Sequence, residues 1–151
     1  MYRLDIGLKL RQAMLINGVL FNSEVRHGIE DKDVKELEGI DEHLLRHLVK
    51  AHSKTPLEFL YLESGSIPIR FLISSRRLIY LRTILIKDDS ELVKRILKAQ
   101  LENPSPGDYT ELLKNDFQKI EESFDEKEIL NKSSRAYKKF IKMKIRKAAL
   151  K

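Results

Sequence analysis

Three groups of residues have the types and spacing that bear on chemistry. The first is Ile86-Lys87-Asp88-Asp89. Adjacent carboxylates can hold paired metal ions for phosphoryl transfer when they sit on a tight strand-turn-strand and a third carboxylate joins them from another strand. Helical pattern flanks the pair on both sides here, and Asp88 stands three residues before Glu91, the spacing of a helix cap. The pair is therefore expected to cap a helix and not to bind metal. The second group is His43 and His47 at i, i+4, followed by His52. The chain has no cysteine, and the glutamate of a His-Glu-x-x-His site is missing, so these histidines are expected at the surface or the core edge. Neither a Ser-His-Asp arrangement nor a glycine-rich phosphate loop stands out. No catalytic residue, metal or cofactor is assigned, and the chain is expected not to be an enzyme.

The third group is basic. From Ile129 onward stand nine of the 29 basic residues and no acidic one, while residues 1 to 128 carry 20 basic against all 23 acidic residues. The net charge of +6 is thus held by the tail. On a helix turning about 100° per residue, Arg135, Lys139, Lys142 and Arg146 form one ridge with Lys138 beside it, while Tyr137, Ile141, Ile145 and Ala148 form an apolar stripe. Such a helix docks by its stripe and presents its ridge to phosphates. The competing reading is a solvated lysine-rich face. Arg70 and Arg77, seven residues apart and on one face with Ser74, form a second candidate set, because the guanidinium fork donates paired hydrogen bonds to phosphate. The alternative is that they pair with a carboxylate of the chain, Glu58 or Glu63 being near in sequence.

The elements that must position these residues read as helices throughout. Apolar residues recur at three and four, and sustained alternation is missing. The expected fold is all-α, an irregular bundle of about six to eight helices ending in a basic one. Leu8 to Gly28 reads as a long, mostly buried helix with a break near Gly18. Asp33 to Ala51 is amphipathic, with Val34, Leu37, Ile40, Leu44, Leu45 and Leu48 on one stripe. Capping boxes stand at Thr55/Glu58, Asp88/Glu91, Asp108/Glu111 and Asp125/Glu128, the first with Pro56 as its first helical residue. Gly65 reads as a helix stop, followed by a largely apolar helix from Ile67 to Ile86. Residues 90 to 101 form the next helix. Asn103-Pro104-Ser105-Pro106-Gly107 is the strongest loop signal. These divisions place a main bundle at 1–103, a loop and packing helices at 104–131, and a basic helix at 132–151; removal of Ser133 to Lys151 is expected to leave the rest folded.

Composition sets the outer bounds. At 151 residues and 42% hydrophobic content the chain supports one modest core. Absence of cysteine excludes disulfides and thiolate metal sites and fits an intracellular compartment, nucleus or cytoplasm. Arg3, Lys9 and Arg11 ahead of Ala13 to Phe21 imitate a secretory leader, but Asn17 and Gly18 interrupt the apolar run. No run approaches the ~20 apolar residues of a membrane span. A soluble protein without a membrane partner is expected.

Leu15 to Val25 (Leu-Ile-Asn-Gly-Val-Leu-Phe-Asn-Ser-Glu-Val) is followed by three further blocks. They are Leu37-Glu38-Gly39-Ile40-Asp41 with Leu44-Leu45-Arg46, then Thr55-Pro56-Leu57-Glu58, then Ile67-Pro68-Ile69-Arg70 leading into Arg76-Arg77-Leu78. In that order they resemble the region just after the polymerase palm of LINE-like, non-LTR retrotransposon reverse transcriptases, over about Asp5 to Ile145. The family's aromatic-Gly-Ser-Glu-x-Trp pattern is altered here, with Asn22 for glycine and Arg26 for tryptophan. The resemblance implies a thumb-like and linker region that holds an RNA–DNA or RNA duplex by its phosphate backbone, with the palm of the parent polymerase as a further partner. It also implies that the catalytic aspartates lie upstream, so that the chain does not polymerise.

The expected function is therefore non-catalytic contact with a template-primer duplex through Arg70, Arg77, Arg135, Lys138, Lys139, Lys142 and Arg146. The alternative is a helical protein-interaction module descended from such an element, which a contiguous exposed patch of Phe21, Val25 and Leu60 would favour.

Overall fold

The computed structural model describes residues 4–25 and 31–151. Among the described residues the chain is helical with no strand, an all-α bundle of eight helices when Leu4 to Val19 is taken as one. Its contacts divide it into two units. One comprises the described residues up to Ile73 together with Leu150, the other Ser74–Ala149 together with Lys151. The boundary falls inside a helix, and the loop at 103–107 lies within the second unit.

The first unit opens with α1 (Leu4–Leu10), a π-helical turn (Arg11–Ile16) and α2 (Asn17–Val19), continues with α3 (Asp31–Leu48) and α4 (Leu57–Ser64), and takes in the start of α5 (Ile69–Leu85). The first helical stretch is shorter and more exposed than its apolar content implies. It ends at Val19, Met14 is 75% and Phe21 70% exposed, and only Arg11 and Ile16 of the π turn are buried. Those two residues explain the wide turn. Five positions apart on an α-helix they would diverge by about 140°, and the i→i+5 geometry brings them back toward one face. The expected extent to Gly28, and the Arg26 departure, lie outside the described residues. Gly7 has a packing reason: a Cβ there would crowd Leu48 Cδ2, so glycine lets α1 approach α3 without that side chain having to shift. Ile16, Leu20, Val34, Ile69 and Ile73 form the unit's apolar cluster. Each fully buried aliphatic side chain of this kind contributes about 1.5–3 kcal/mol. On α3, Val34, Leu45 and Leu48 are buried as the stripe requires, but Ile40 is exposed and Asp41 is buried in its stead.

The second unit holds the rest of α5, then α6 (Leu92–Glu102), α7 (Tyr109–Lys119), α8 (Glu126–Asn131) and α9 (Ser134–Ala149). Its buried residues come from every helix: Leu78, Leu81 and Ile84 from α5, Leu97 from α6, Leu113 and Phe117 from α7, Ile129 from α8, and Tyr137, Ile141 and Ile145 from α9. Phe124 meets Phe117 edge-on with ring centroids 6.0 Å apart.

Two of the four capping signatures act as caps. Asp108 accepts from the N–H groups of Thr110 and Glu111, and Asp125 from those of Lys127 and Glu128, satisfying donors that the first turn leaves unpaired. The other two do not. Helix α4 starts at Leu57, with Pro56 in the cap position and no side-chain cap, so Thr55 lies outside the helix. Helix α6 starts at Leu92 after an uncapped Glu91, and Asp88 instead folds onto Ser90, accepting from its N–H and hydroxyl at 3.0 Å. Gly65 ends α4 as expected, in the left-handed conformation at φ 62°.

Candidate nucleic-acid interface

Helix α9 is built to be held on one side and open on the other. Ser133 caps it by accepting from Ala136 N–H at 3.2 Å, and Tyr137, Ile141 and Ile145 are buried. The Tyr137 hydroxyl donates to the Leu78 carbonyl at 3.1 Å. Burial pushes that phenol's pKa upward, so it remains a neutral donor. Arg82 donates to the Lys132 carbonyl at 2.8 Å, tying α5 to the residue that leads into α9. These anchors fix the helix about its own axis. They also make the tail part of the second unit's core, so the expectation that Ser133 to Lys151 can be removed without unfolding the rest is corrected.

Eight of the nine cations of this region separate into two sets, and Lys147 is exposed outside both. Lys132 pairs with Glu128 at 2.5 Å, Lys144 with Glu122 and Lys151 with Glu121, and the Lys132 and Lys144 ammonium groups also lie over the Phe140 ring. Arg135, Lys138, Lys139, Lys142 and Arg146 are exposed, and no carboxylate among the described residues pairs with any of them. From Arg135 to Arg146 the ridge runs eleven residues, roughly 16 Å at 1.5 Å per residue.

Arg70 and Arg77 are placed differently. Arg70 grips Glu38 with both arms of its fork, Nε at 2.8 Å from Oε1 and Nη2 at 2.5 Å from Oε2. Burial alone would raise the Glu38 pKa, but the hydrogen bonds and charge of Arg70 outweigh it and hold the carboxyl below its usual range. Arg77 lies against Asp116, which also accepts from the Ser74 hydroxyl at 2.6 Å and has the Lys119 ammonium at 3.3 Å. Both guanidiniums are committed to carboxylates of the chain, though not to Glu58 or Glu63. Neither is therefore counted among the cations without a carboxylate partner. Ser74 and Arg77 do share a focus, but it is Asp116.

Sequence reasoning missed three buried charged residues: Arg11, Asp41 and Asp116. Arg11 donates from Nε and Nη2 to Asp41 at 2.5 and 2.6 Å. The signal for the aspartates was available. Asp41 sits seven residues after Val34 and four before Leu45, on the apolar stripe, and Asp116 stands between Leu113 and Phe117. A carboxylate on a buried face needs a cationic partner.

Asp88, Asp89 and the histidines of α3 stand at the surface. Asp89 is exposed and accepts from Lys94 and Lys98 at 2.9 Å, and these hydrogen bonds lower its pKa to about 2. His43 and His47 are exposed, and the His52 Nδ1 accepts from Lys54 N–H at 3.2 Å. No three His, Asp or Glu side chains of the described residues gather to hold a metal. No helix of the described residues is long and apolar enough to cross a membrane. Compared with protein-family models, with curated proteins and with solved structures, the chain matches none of them.

Proposed function

We propose that this chain grips the phosphate backbone of a nucleic-acid duplex through the α9 ridge, without catalysing a reaction on it. The observation that carries the reading is the set of five exposed, carboxylate-free cations on a helix whose opposite face is locked into the core. A ridge held in place loses little freedom when it meets phosphates, and each contact releases condensed counterions. Its members are all Arg or Lys, the side chains that neutralise backbone phosphates. The α9 aromatics offer little for stacking unpaired bases. Tyr137 is buried, and Phe140 is partly buried beneath two ammonium groups. Stacking platforms distinguish single-strand binders, so a duplex is the better fit.

The ordered blocks between Leu15 and Leu78 support a more specific version, in which the duplex is an RNA–DNA or RNA template-primer and the chain derives from the region beyond a reverse-transcriptase palm. Fluorescence anisotropy with an RNA–DNA hybrid tests the grip, comparing the intact chain with Arg135→Gln/Lys139→Gln/Lys142→Gln/Arg146→Gln. Strong loss of affinity in the variant is expected, and equal affinity contradicts the proposal. A second reading, a protein-docking module, draws on exposed Phe21 and Val25, but Leu60 is fully buried and takes no part in such a patch.

A further inference from the structure

Helix α4 is apolar on two opposite sides. At about 100° per residue Leu57, Leu60, Tyr61 and Ser64 fall on one side, which packs inward against α3. Leu60 and Tyr61 are buried there, and Leu57 and Ser64 are partly buried. On the opposite side stand Phe59, 50% exposed, and Leu62, 69% exposed, one turn apart. Glu58 borders this pair on one edge and Glu63 on the other. Both carboxylates are exposed, and no cation among the described residues pairs with either.

The helix is held at both ends. Arg46 Nη1 donates to the Thr55 carbonyl at 2.7 Å just ahead of Pro56. The Ser64 hydroxyl donates to the Leu60 carbonyl at 2.6 Å, and Gly65 then turns the chain away in the left-handed conformation. The outward face is thus presented in a fixed orientation within its unit. A helix with apolar residues all round is ordinarily covered all round. Anchors on a helix already in place meet a partner at low ordering cost.

The charges select the occupant. Carboxylates on both edges repel the phosphates of nucleic acid and the headgroups of anionic lipid. They also exclude a second copy of the same face, since two such helices side by side, parallel or antiparallel, set glutamate against glutamate. What they favour is an apolar stripe bordered by cations, the arrangement by which edge charges of paired helices set partner and orientation. We infer that the outer face of α4 is a docking site for an amphipathic helix of another protein, its apolar stripe bordered by lysine or arginine. Two apolar anchors and two charges make this a small, transient contact. It stands on a different helix from the α9 ridge and does not depend on the reading of that ridge.

The test is a titration of the full-length, isotope-labelled chain with a synthetic amphipathic helical peptide, leucine along its stripe and lysine along both borders, read by amide chemical shifts. Saturable shifts centred on Glu58, Phe59, Leu62 and Glu63 are expected. The counterpart peptide with glutamate in place of each lysine should bind about tenfold or more weakly. Phe59→Ser/Leu62→Ser should weaken binding of the lysine peptide by about tenfold or more, with an unchanged circular-dichroism spectrum because both side chains are exposed. Glu58→Lys/Glu63→Lys should transfer the preference to the glutamate peptide, an inversion that a purely hydrophobic contact does not give. The four-glutamine α9 variant should bind the lysine peptide like the intact chain, which separates this site from the duplex grip. Absence of saturable binding, shifts centred elsewhere, equal affinity for the two peptides, or a preference unchanged by charge reversal would overturn the inference. So would self-association of the peptide-free chain that Phe59→Ser/Leu62→Ser abolishes, because a second copy would then be the occupant.

Discussion

Arg77 Nε lies 2.6 Å from Oδ2 of Asp116, with the two side chains 11% and 1% exposed. An ion pair this far from water does not add stability in proportion to its charge, since desolvation offsets most of the attraction, but breaking it leaves a charge stranded. Asp116→Ala is therefore expected to cost about 3–5 kcal/mol, read as a lower urea midpoint. Replacing both partners, as Arg77→Met with Asp116→Leu, should recover most of that loss. A single-variant loss of only a few tenths of a kcal/mol would show that the pair is not load-sharing in the folded chain.

The same geometry makes a functional prediction for Arg77. Its fork faces Asp116, so Arg77→Gln should lower stability while leaving duplex affinity within about twofold, measured at a temperature where the variant remains folded. A large affinity loss with stability unchanged would return Arg77 to the set of phosphate contacts.

Glu38 and Arg70 give a pH signature. The folded-state pKa of Glu38 is lowered, so its contribution is present above the unfolded carboxyl value and is lost as pH falls through the folded one. Stability should decline on acidification below about pH 4.5. In Arg70→Gln the charge and the fork's hydrogen bonds are lost while the backbone N–H of residue 70 still donates to Glu38, so the Glu38 pKa should rise toward the unfolded value and the loss of stability on acidification should shrink. Carboxyl titration followed by NMR measures both values, and an unchanged Glu38 pKa in the variant would contradict the account.

The aspartate caps can be ranked. Asp108 accepts two backbone N–H bonds at the start of α7, whereas Asp88 holds only a local turn ahead of α6. Asp108→Ala should lower the thermal midpoint more than Asp88→Ala does, because it leaves helix donors unpaired. The opposite order would indicate that Asp88 supports α6 in some other way.

These cases also mark how far the sequence was legible. Helical content, the extents of α3, α5 and α9, and the buried stripe Tyr137, Ile141 and Ile145 follow from periodicity, which is a local property. Caps were half legible, since Thr55/Glu58 and Asp88/Glu91 carry the right spacing while the chain enters those helices one to several residues later. Long-range pairs such as Arg11 with Asp41, 30 residues apart, leave no local pattern beyond a charge on an apolar face. For the same reason Arg70 and Arg77 looked available when read alone. The α9 ridge was the easier case, because the residues around it in sequence contain no acid to claim it.

The most direct measurement for the central claim is the salt dependence of duplex affinity. If Arg135, Lys138, Lys139, Lys142 and Arg146 each neutralise a phosphate, the logarithm of the association constant for an RNA–DNA hybrid should fall with log salt at a slope of roughly −3.5 to −4.5. In the four-glutamine variant only Lys138 of the ridge remains, and the slope should flatten to about −1 while affinity for every duplex sequence weakens alike. Intact-chain binding whose slope and affinity persist in that variant, or no binding by the intact chain at low salt, would contradict the account.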